Sequence, residues 1–247
     1  MLLQNKKAIV TGASTGIGRE IAIELAKDGA IVGLVGRNLQ QLNETKKLIE
    51  KENGKAIIFQ SDLSKLEEVN SLIESISNEF KAIDILANIA GIWHGEDEVY
   101  SNKDFETYSQ QVILDTFFVG TIAPTLLSHG LIPFMKSKSK IINLSGTFED
   151  GAKGWIPYYV SKRAIEDLTI ALSQELAERD IQVNAISPSD TATESYKKYF
   201  PEYIDDSIDP KEIAKQAVFL CSSTGNKITG KVFVMKKDKK PHEGFHY

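Results

Sequence analysis

Short runs rich in β-branched residues alternate with longer amphipathic stretches along this 247-residue chain, and that alternation limits its fold more than any other feature. The runs are Lys7–Thr11, Ile31–Gly36, Ala56–Gln60, Ile83–Asn88, Lys140–Ser145, Gln182–Ser187 and Lys231–Met235. Each has the length and composition of a strand. Between them, Gly16–Asp28 repeats apolar residues at Ile17, Ile21, Ala22 and Leu25. Leu39–Glu52 opens behind Asn38, a capping residue, and Ser64–Phe80 opens on Ser64 and Glu67 at capping-box spacing. Strands separated by helices build βαβ units, whose strands lie parallel beneath covering helices. The expectation is one α/β domain over residues 1–247: a Rossmann-type, doubly wound parallel sheet of about seven strands with helices on both faces. An apolar fraction of 42% suffices for the core of such a sheet. The stretch Lys236–Tyr247 is polar and reads as a surface tail, with the option of folding back over an active site.

Charge narrows the partners. A net charge of −5 with 29 basic residues offers no footprint for nucleic acid. A single cysteine, Cys221, allows no intrachain disulfide and reads as a packed thiol in a reducing compartment. The first ten residues run into a strand without the apolar core of a signal peptide, and no apolar run reads as a membrane span. The expected location is therefore cytoplasmic.

Two constellations carry chemistry. The first is Thr11-Gly12-Ala13-Ser14-Thr15-Gly16-Ile17-Gly18, which leaves a strand and opens a helix. Its glycines permit a tight turn and close backbone approach to a pyrophosphate, which the helix N-terminus then faces with N–H groups. At the end of the second strand stand Gly36 and Arg37, with no Asp or Glu between Leu34 and Gln41. A carboxylate there would hold ribose hydroxyls; an arginine suits a 2′-phosphate, which points to NADP(H) over NAD(H). The second constellation is Tyr158 and Lys162, one helical turn apart. A phenol titrates near ~10, and a neighbouring ammonium favours its ionised form, so the pair suits general acid/base work. Ser145, 13 residues before Tyr158 at a strand end, can bond a substrate oxygen. Thr147 is a second hydroxyl, but the spacing favours Ser145.

The Gly-x3-Gly-x-Gly spacing and the Ser–Tyr–Lys set together resemble the short-chain dehydrogenase/reductase family from about Lys6 to Val234. The resemblance implies catalytic roles for Ser145, Tyr158 and Lys162. It implies cofactor contacts from Gly12, Ser14, Thr15, Gly16, Ile17, Gly18 and Arg37, and from the adenine-contacting pair Asp62-Leu63. Asn88, Ala90 and Gly91 match the family's Asn-Asn-Ala-Gly motif, with Ile89 replacing its second Asn. Pro188, Thr191 and Thr193 match its Pro-Gly-x-x-x-Thr segment, with Ser189 replacing Gly. Tyr158 and Lys162 belong to the cofactor-binding set as well. Further departures are Gly146 in place of a second serine and Phe117 at the place of the family's helix Asn. The family also pairs its long helices across subunits. Apolar Phe117, Phe118, Ile122, Ile165, Leu168 and Leu172, on helices near Asp104–Met135 and Tyr158–Ala177, accordingly imply a homo-oligomer, a tetramer or dimer.

The implied activity is NADP(H)-dependent interconversion of a small carbonyl compound and its alcohol. The alternative is an NADP(H)-binding sensor or scaffold with little turnover. Loops at the strand ends contribute Trp93, His94, Phe148, Glu149, Asp150, Trp155 and Tyr196 toward a substrate that the residues do not name. His242-Glu243-Gly244-Phe245-His246 spells a zinc-protease motif. Pro241 before it and Gly244 within it deny it a helix, so no metal site is expected.

Overall fold

The computed structural model describes residues 1–149 and 151–247. The predicted alternation is realised throughout. In chain order the structure runs β1 (Lys7–Thr11), α1 (Gly16–Lys27), β2 (Ile31–Gly36), α2 (Leu39–Lys51), β3 (Lys55–Gln60), α3 (Leu66–Phe80) and β4 (Ile83–Asn88). It continues through α4 (Gln110–Phe117), a π-helical turn (Phe118–Ile122), α5 (Ala123–Leu131), β5 (Met135–Leu144), α6 (Ile156–Glu175) and β6 (Gln182–Pro188). The last elements are α7 (Glu194–Tyr199), α8 (Pro210–Cys221), β7 (Lys231–Met235) and β8 (His242–Glu243).

The sheet order is β3-β2-β1-β4-β5-β6-β7-β8. The chain therefore reverses its winding between β1 and β4, and a crevice opens beyond their carboxyl ends. Side chains alternate across the strands because the pleat has a period of two. Along β1, Ala8 and Val10 enter the core shared with Ile21 and Leu25 of α1 and Ile213 of α8. Ile9 enters the opposite core with Val69 and Ile76 of α3 and Leu127 of α5.

The described residues form the expected sheet with an eighth strand from the tail, since His242 and Glu243 pair antiparallel with Val234 and Phe233 of β7. The end of the tail is docked through His246 and Tyr247. Several other expectations need correction. The Ser64–Glu67 capping box does not form. Ser64 instead donates to the Asp62 carboxylate, and α3 starts behind Lys65. The long helix expected near Asp104–Met135 is split by the π turn at Gly120, where a Cβ would stand 2.8 Å from Ser161 Oγ of α6. Ile165 is buried, and Phe118 and Leu172 pack on the core, so they do not form an outer face. The stretch Gln110–Phe134 contains an 18-residue window of mean hydropathy 1.4, long and apolar enough to cross a membrane by those measures alone. Its inner face packs on α3, α6 and the sheet.

Candidate active site

At the crevice the ends of β1, β2, β4 and β5 enclose a groove of about 1040 Å³. One end is lined by Gly12, Ser14, Thr15, Gly16, Ile17, Gly18, Arg37, Asp62 and Leu63. The other end is lined by Tyr158 and Lys162, with Ala90 and Gly91 between. The glycine-rich turn is built for close approach. Gly12 has φ +68°, and a Cβ at Gly18 would stand 2.2 Å from the Gly12 carbonyl oxygen, so α1 abuts the end of β1. Thr11 Oγ1 accepts from the Ile89 and Ala90 amides at 2.9 and 3.1 Å, tying β1 to the end of β4.

Asn88 itself does not face the groove. It is buried, and its Nδ2 donates to Asn143 Oδ1 at 2.9 Å, so it joins β4 to β5. Arg37 is exposed on the groove wall. Burial of the Asp62 carboxyl works to raise its pKa, but hydrogen bonds from the Ser64 amide and hydroxyl, with the Arg37 charge, hold it below the usual range.

The chemical end rests on α6. Lys162 Nζ lies 5.3 Å from the centroid of the Tyr158 ring and donates to the Leu144 carbonyl at 2.7 Å. Burial pulls the lysine down to about 8, against an opposing effect of the Glu166 charge. The phenol of Tyr158 is pushed above its ordinary value by burial and then by the Asp190 carboxylate. That is opposite to the direction expected of the Tyr–Lys pair, because burial disfavours the phenolate most strongly.

Ser145 does not join them. It is 1% exposed, and its hydroxyl donates to Glu166 Oε1 at 2.5 Å and to the Lys162 carbonyl at 3.2 Å. Asn143, two residues earlier on the same side of β5, bonds Thr169 of α6 at 2.9 Å. The period of the strand turns both side chains away from the groove, whose wall carries Leu144 instead. Beyond Leu144, Gly146 has space: a Cβ there would meet nothing nearer than 3.8 Å. Glu166 is fully buried, pairs with Arg163 at 3.2 Å and accepts the His246 amide at 2.6 Å. Arg163 also donates to the carbonyls of Gly146 and Tyr247, binding the docked tail to the same cluster. Ser145→Ala is therefore expected to lower stability by about 1–3 kcal/mol, since Glu166 loses a donor in a dry site. A fall in thermal midpoint with unchanged cofactor affinity is the check; a loss of rate without a loss of stability would restore Ser145 to the chemistry.

Pro188, the last residue of β6, and Thr191 beyond it are buried. Thr191 Oγ1 donates to the Ser189 carbonyl at 2.9 Å, while Thr193 lines the groove and caps α7. Glu194 Oε2 accepts from the Gly16 amide at 3.1 Å, and Oε1 pairs with Arg19 at 3.0 Å. At the other end of α7, Tyr199 Oη donates to the Gly95 and Glu96 carbonyls at 3.2 and 2.8 Å. Phe117 is absent from the groove wall, where Val112, Asp115 and Val119 stand. Of the loop residues, Trp93 and His94 line the groove, Phe148 and Trp155 stand beside Tyr158, and Tyr196 belongs to the same aromatic group. Glu149 pairs with Lys236, and Asp150 lies outside the described residues.

Glu166, Glu194 and Asp190 were not singled out from the sequence. The first carried a readable signal, a carboxylate one turn beyond Lys162 on the same helix face. Asp190 sits in a turn and Glu194 opens a six-residue helix, too short to show a period.

Residues 6–203 match the short chain dehydrogenase family. Among curated relatives, 2-dehydro-3-deoxy-D-gluconate 5-dehydrogenase of Dickeya dadantii is 31% identical over 244 residues, covering 92% of each chain. A 3-oxoacyl-[acyl-carrier-protein] reductase of Aquifex aeolicus is 30% identical over 244 residues, 93% of this chain and 95% of that one. Among solved structures, a short chain dehydrogenase from Burkholderia cenocepacia in complex with NADP superposes with TM-score 0.85 at 25% identity, over 96% of this chain and 98% of the other. Landomycin C-6 ketoreductase with bound NADP and rabelomycin superposes with TM-score 0.83 at 27% identity, over 94% and 95%.

Proposed function

The chain belongs to the short chain dehydrogenase family, and from that premise we propose that it is an NADP(H)-dependent reductase interconverting a ketone or aldehyde and its alcohol, with Tyr158 as general acid/base. The observation that carries this reading is one continuous groove with the glycine-rich turn and Arg37 at one end and Tyr158 with Lys162 at the other. Those residues fit a nicotinamide dinucleotide, because the glycine-rich turn lines the groove where α1 begins, the end of a helix that receives a pyrophosphate. When bound, the dinucleotide exchanges a hydride with the carbonyl carbon, so the carbonyl is reduced as the cofactor is oxidised.

The chain's own residues then have distinct tasks. The Tyr158 hydroxyl gives its proton to the carbonyl oxygen as the C=O electron pair moves there. Lys162 supplies charge that favours the phenolate left behind and holds the ribose end of the cofactor. Arg37 meets the 2′-phosphate. Spectrophotometry of NADPH oxidation against varied ketones and aldehydes tests the reading; no turnover across the panel would overturn it.

A second reading, a cofactor-binding sensor with little turnover, draws on the turning of Ser145 into the Glu166 cluster, which leaves Leu144 and Gly146 without a hydroxyl to offer a substrate. Under it, NADPH binds with ordinary affinity and no carbonyl is reduced.

The homo-oligomer is proposed on a different face. Leu114 of α4 is 61% exposed, and Ile122 on the π turn and Ile156 and Val160 on α6 are exposed as well, on elements that pack together. Exposed apolar side chains on packed helices suit burial against a second copy. Light scattering at micromolar protein is expected to give a dimer or tetramer, and Leu114→Glu to shift it toward monomer. A wild-type monomer would refute the assignment.

A further inference from the structure

The glycine-rich turn ends where α1 begins, and the positive end of that helix has no anion of its own. Thr15 stands at the N-cap without bonding a helix amide through its side chain, and the first turn carries no acidic residue. The anion comes from α7 instead. Glu194 Oε2 accepts from the Gly16 amide at 3.1 Å, and Oε1 accepts from Arg19 Nη1 at 3.0 Å. Gly16 borders both the cofactor groove and a second cleft of about 1100 Å³ between α7, α8 and the tail. Glu194 lines that second cleft, so its carboxylate reaches the turn from behind, while its neighbour Thr193 lines the groove.

Arg19 does not depend on this pairing for its place. Its Nε and Nη2 donate to the Ser14 carbonyl at 3.0 and 2.5 Å, and Nε also donates to Thr45 Oγ1 at 3.2 Å. The guanidinium is therefore fixed against the turn, with Nη1 turned to Glu194; Glu44 of α2 adds a longer contact at 3.8 Å to Nη2. Ser14 and Gly16 both line the groove. Two positive features, a helix end and a guanidinium, thus adjoin the part of the groove that suits a pyrophosphate, and one carboxylate offsets part of both.

We infer that Glu194 sets the cofactor affinity: its charge opposes the pyrophosphate at the N-terminus of α1, so the dinucleotide binds less tightly than the turn alone allows. The inference rests on the groove being a dinucleotide site, as proposed above, and on no turnover. Glu194→Gln is the test, because the amide keeps the shape and still offers an oxygen to Gly16 while the charge is gone. NADP is titrated by calorimetry into both proteins at low ionic strength. The variant is expected to bind at least about threefold more tightly, the gain shrinking as salt rises. Adenosine 2′-monophosphate, which has no pyrophosphate, is expected to show no such gain. Glu212→Gln removes a carboxylate of the same second cleft, one that pairs with Lys215 on α8, and is expected to leave NADP affinity unchanged. A gain below about twofold for Glu194→Gln, or an equal gain for adenosine 2′-monophosphate or for Glu212→Gln, overturns the inference. NADP bound equally by wild type and variant removes only the role of Glu194; NADP bound by neither removes the dinucleotide reading and this inference with it.

Discussion

Tyr158→Phe is expected to reduce carbonyl turnover by about 10²–10⁴, the range over which a positioned proton donor acts, while NADPH still titrates with wild-type affinity. The aromatic body that packs against Phe148 and Trp155 is retained, so those rings stay in place and only the proton is removed. Lys162 adds a pH signature. Burial lowers its ammonium to about 8 in the free protein. Below that pH the charge that favours the phenolate is present; above it the charge is lost, so kcat/KM for reduction falls as pH rises through about 8. Lys162→Ala is expected to remove that limb and to weaken cofactor binding, because one side chain serves both tasks. A Tyr158→Phe protein that keeps more than about a tenth of wild-type kcat would show that the proton comes from elsewhere.

Arg37→Ala is expected to weaken NADPH binding by roughly ten- to hundredfold and to leave NADH binding nearly unchanged. A charge-assisted hydrogen bond to the 2′-phosphate contributes about 1.5–3 kcal/mol, and each 1.4 kcal/mol is about tenfold in affinity. The wild-type protein should accordingly prefer NADPH by at least about tenfold, less so at high salt. Placing an acid at Gly36 is a poor way to reverse this preference: a Cβ there would stand 2.4 Å from Ser14 Oγ, in the glycine-rich turn. Arg37→Asp avoids that crowding and should move selectivity toward NADH. Fluorescence titration of both cofactors is the test, and NADH binding as tight as NADPH in the wild type would refute the assignment.

The strands and most helices were readable because buried strands demand aliphatic runs and covering helices demand a 3.6-residue period. Local sequence also carries the glycine-rich turn and the Tyr158–Lys162 pair, whose residues are joined by one turn or one helix. Ser145 turns toward the Glu166 cluster, which its spacing from Tyr158 does not reveal, for a physical reason. Counting back from Tyr158 crosses a loop whose length is free, so it does not fix which side of β5 a residue faces. Register within the strand does: Asn143 and Ser145 share the side that meets α6. The docked tail was unreadable for another reason. Its anchors, Glu166 and Arg163, lie about 80 residues from His246 and Tyr247, and a polar composition does not reveal long-range partners. Phe117, which the glycine alignment sets at the place of the family's helix Asn, ends α4 just before the π turn and lies off the groove wall.

Helix α7 spans from one bank of the groove to the other, with Glu194 on Gly16 and Arg19 and with Tyr199 on the Gly95–Glu96 backbone. A short rigid element gripped at both ends transmits any displacement of one end to the other. The glycine-rich turn and the Trp93 side of the chamber are thus joined through one element. Linkage then works in both directions: if the dinucleotide raises the affinity for the carbonyl compound, the carbonyl compound raises the affinity for the dinucleotide by the same factor. In that case the two compartments of the groove form one thermodynamic unit, and an affinity measured for either ligand alone is a property of half of it.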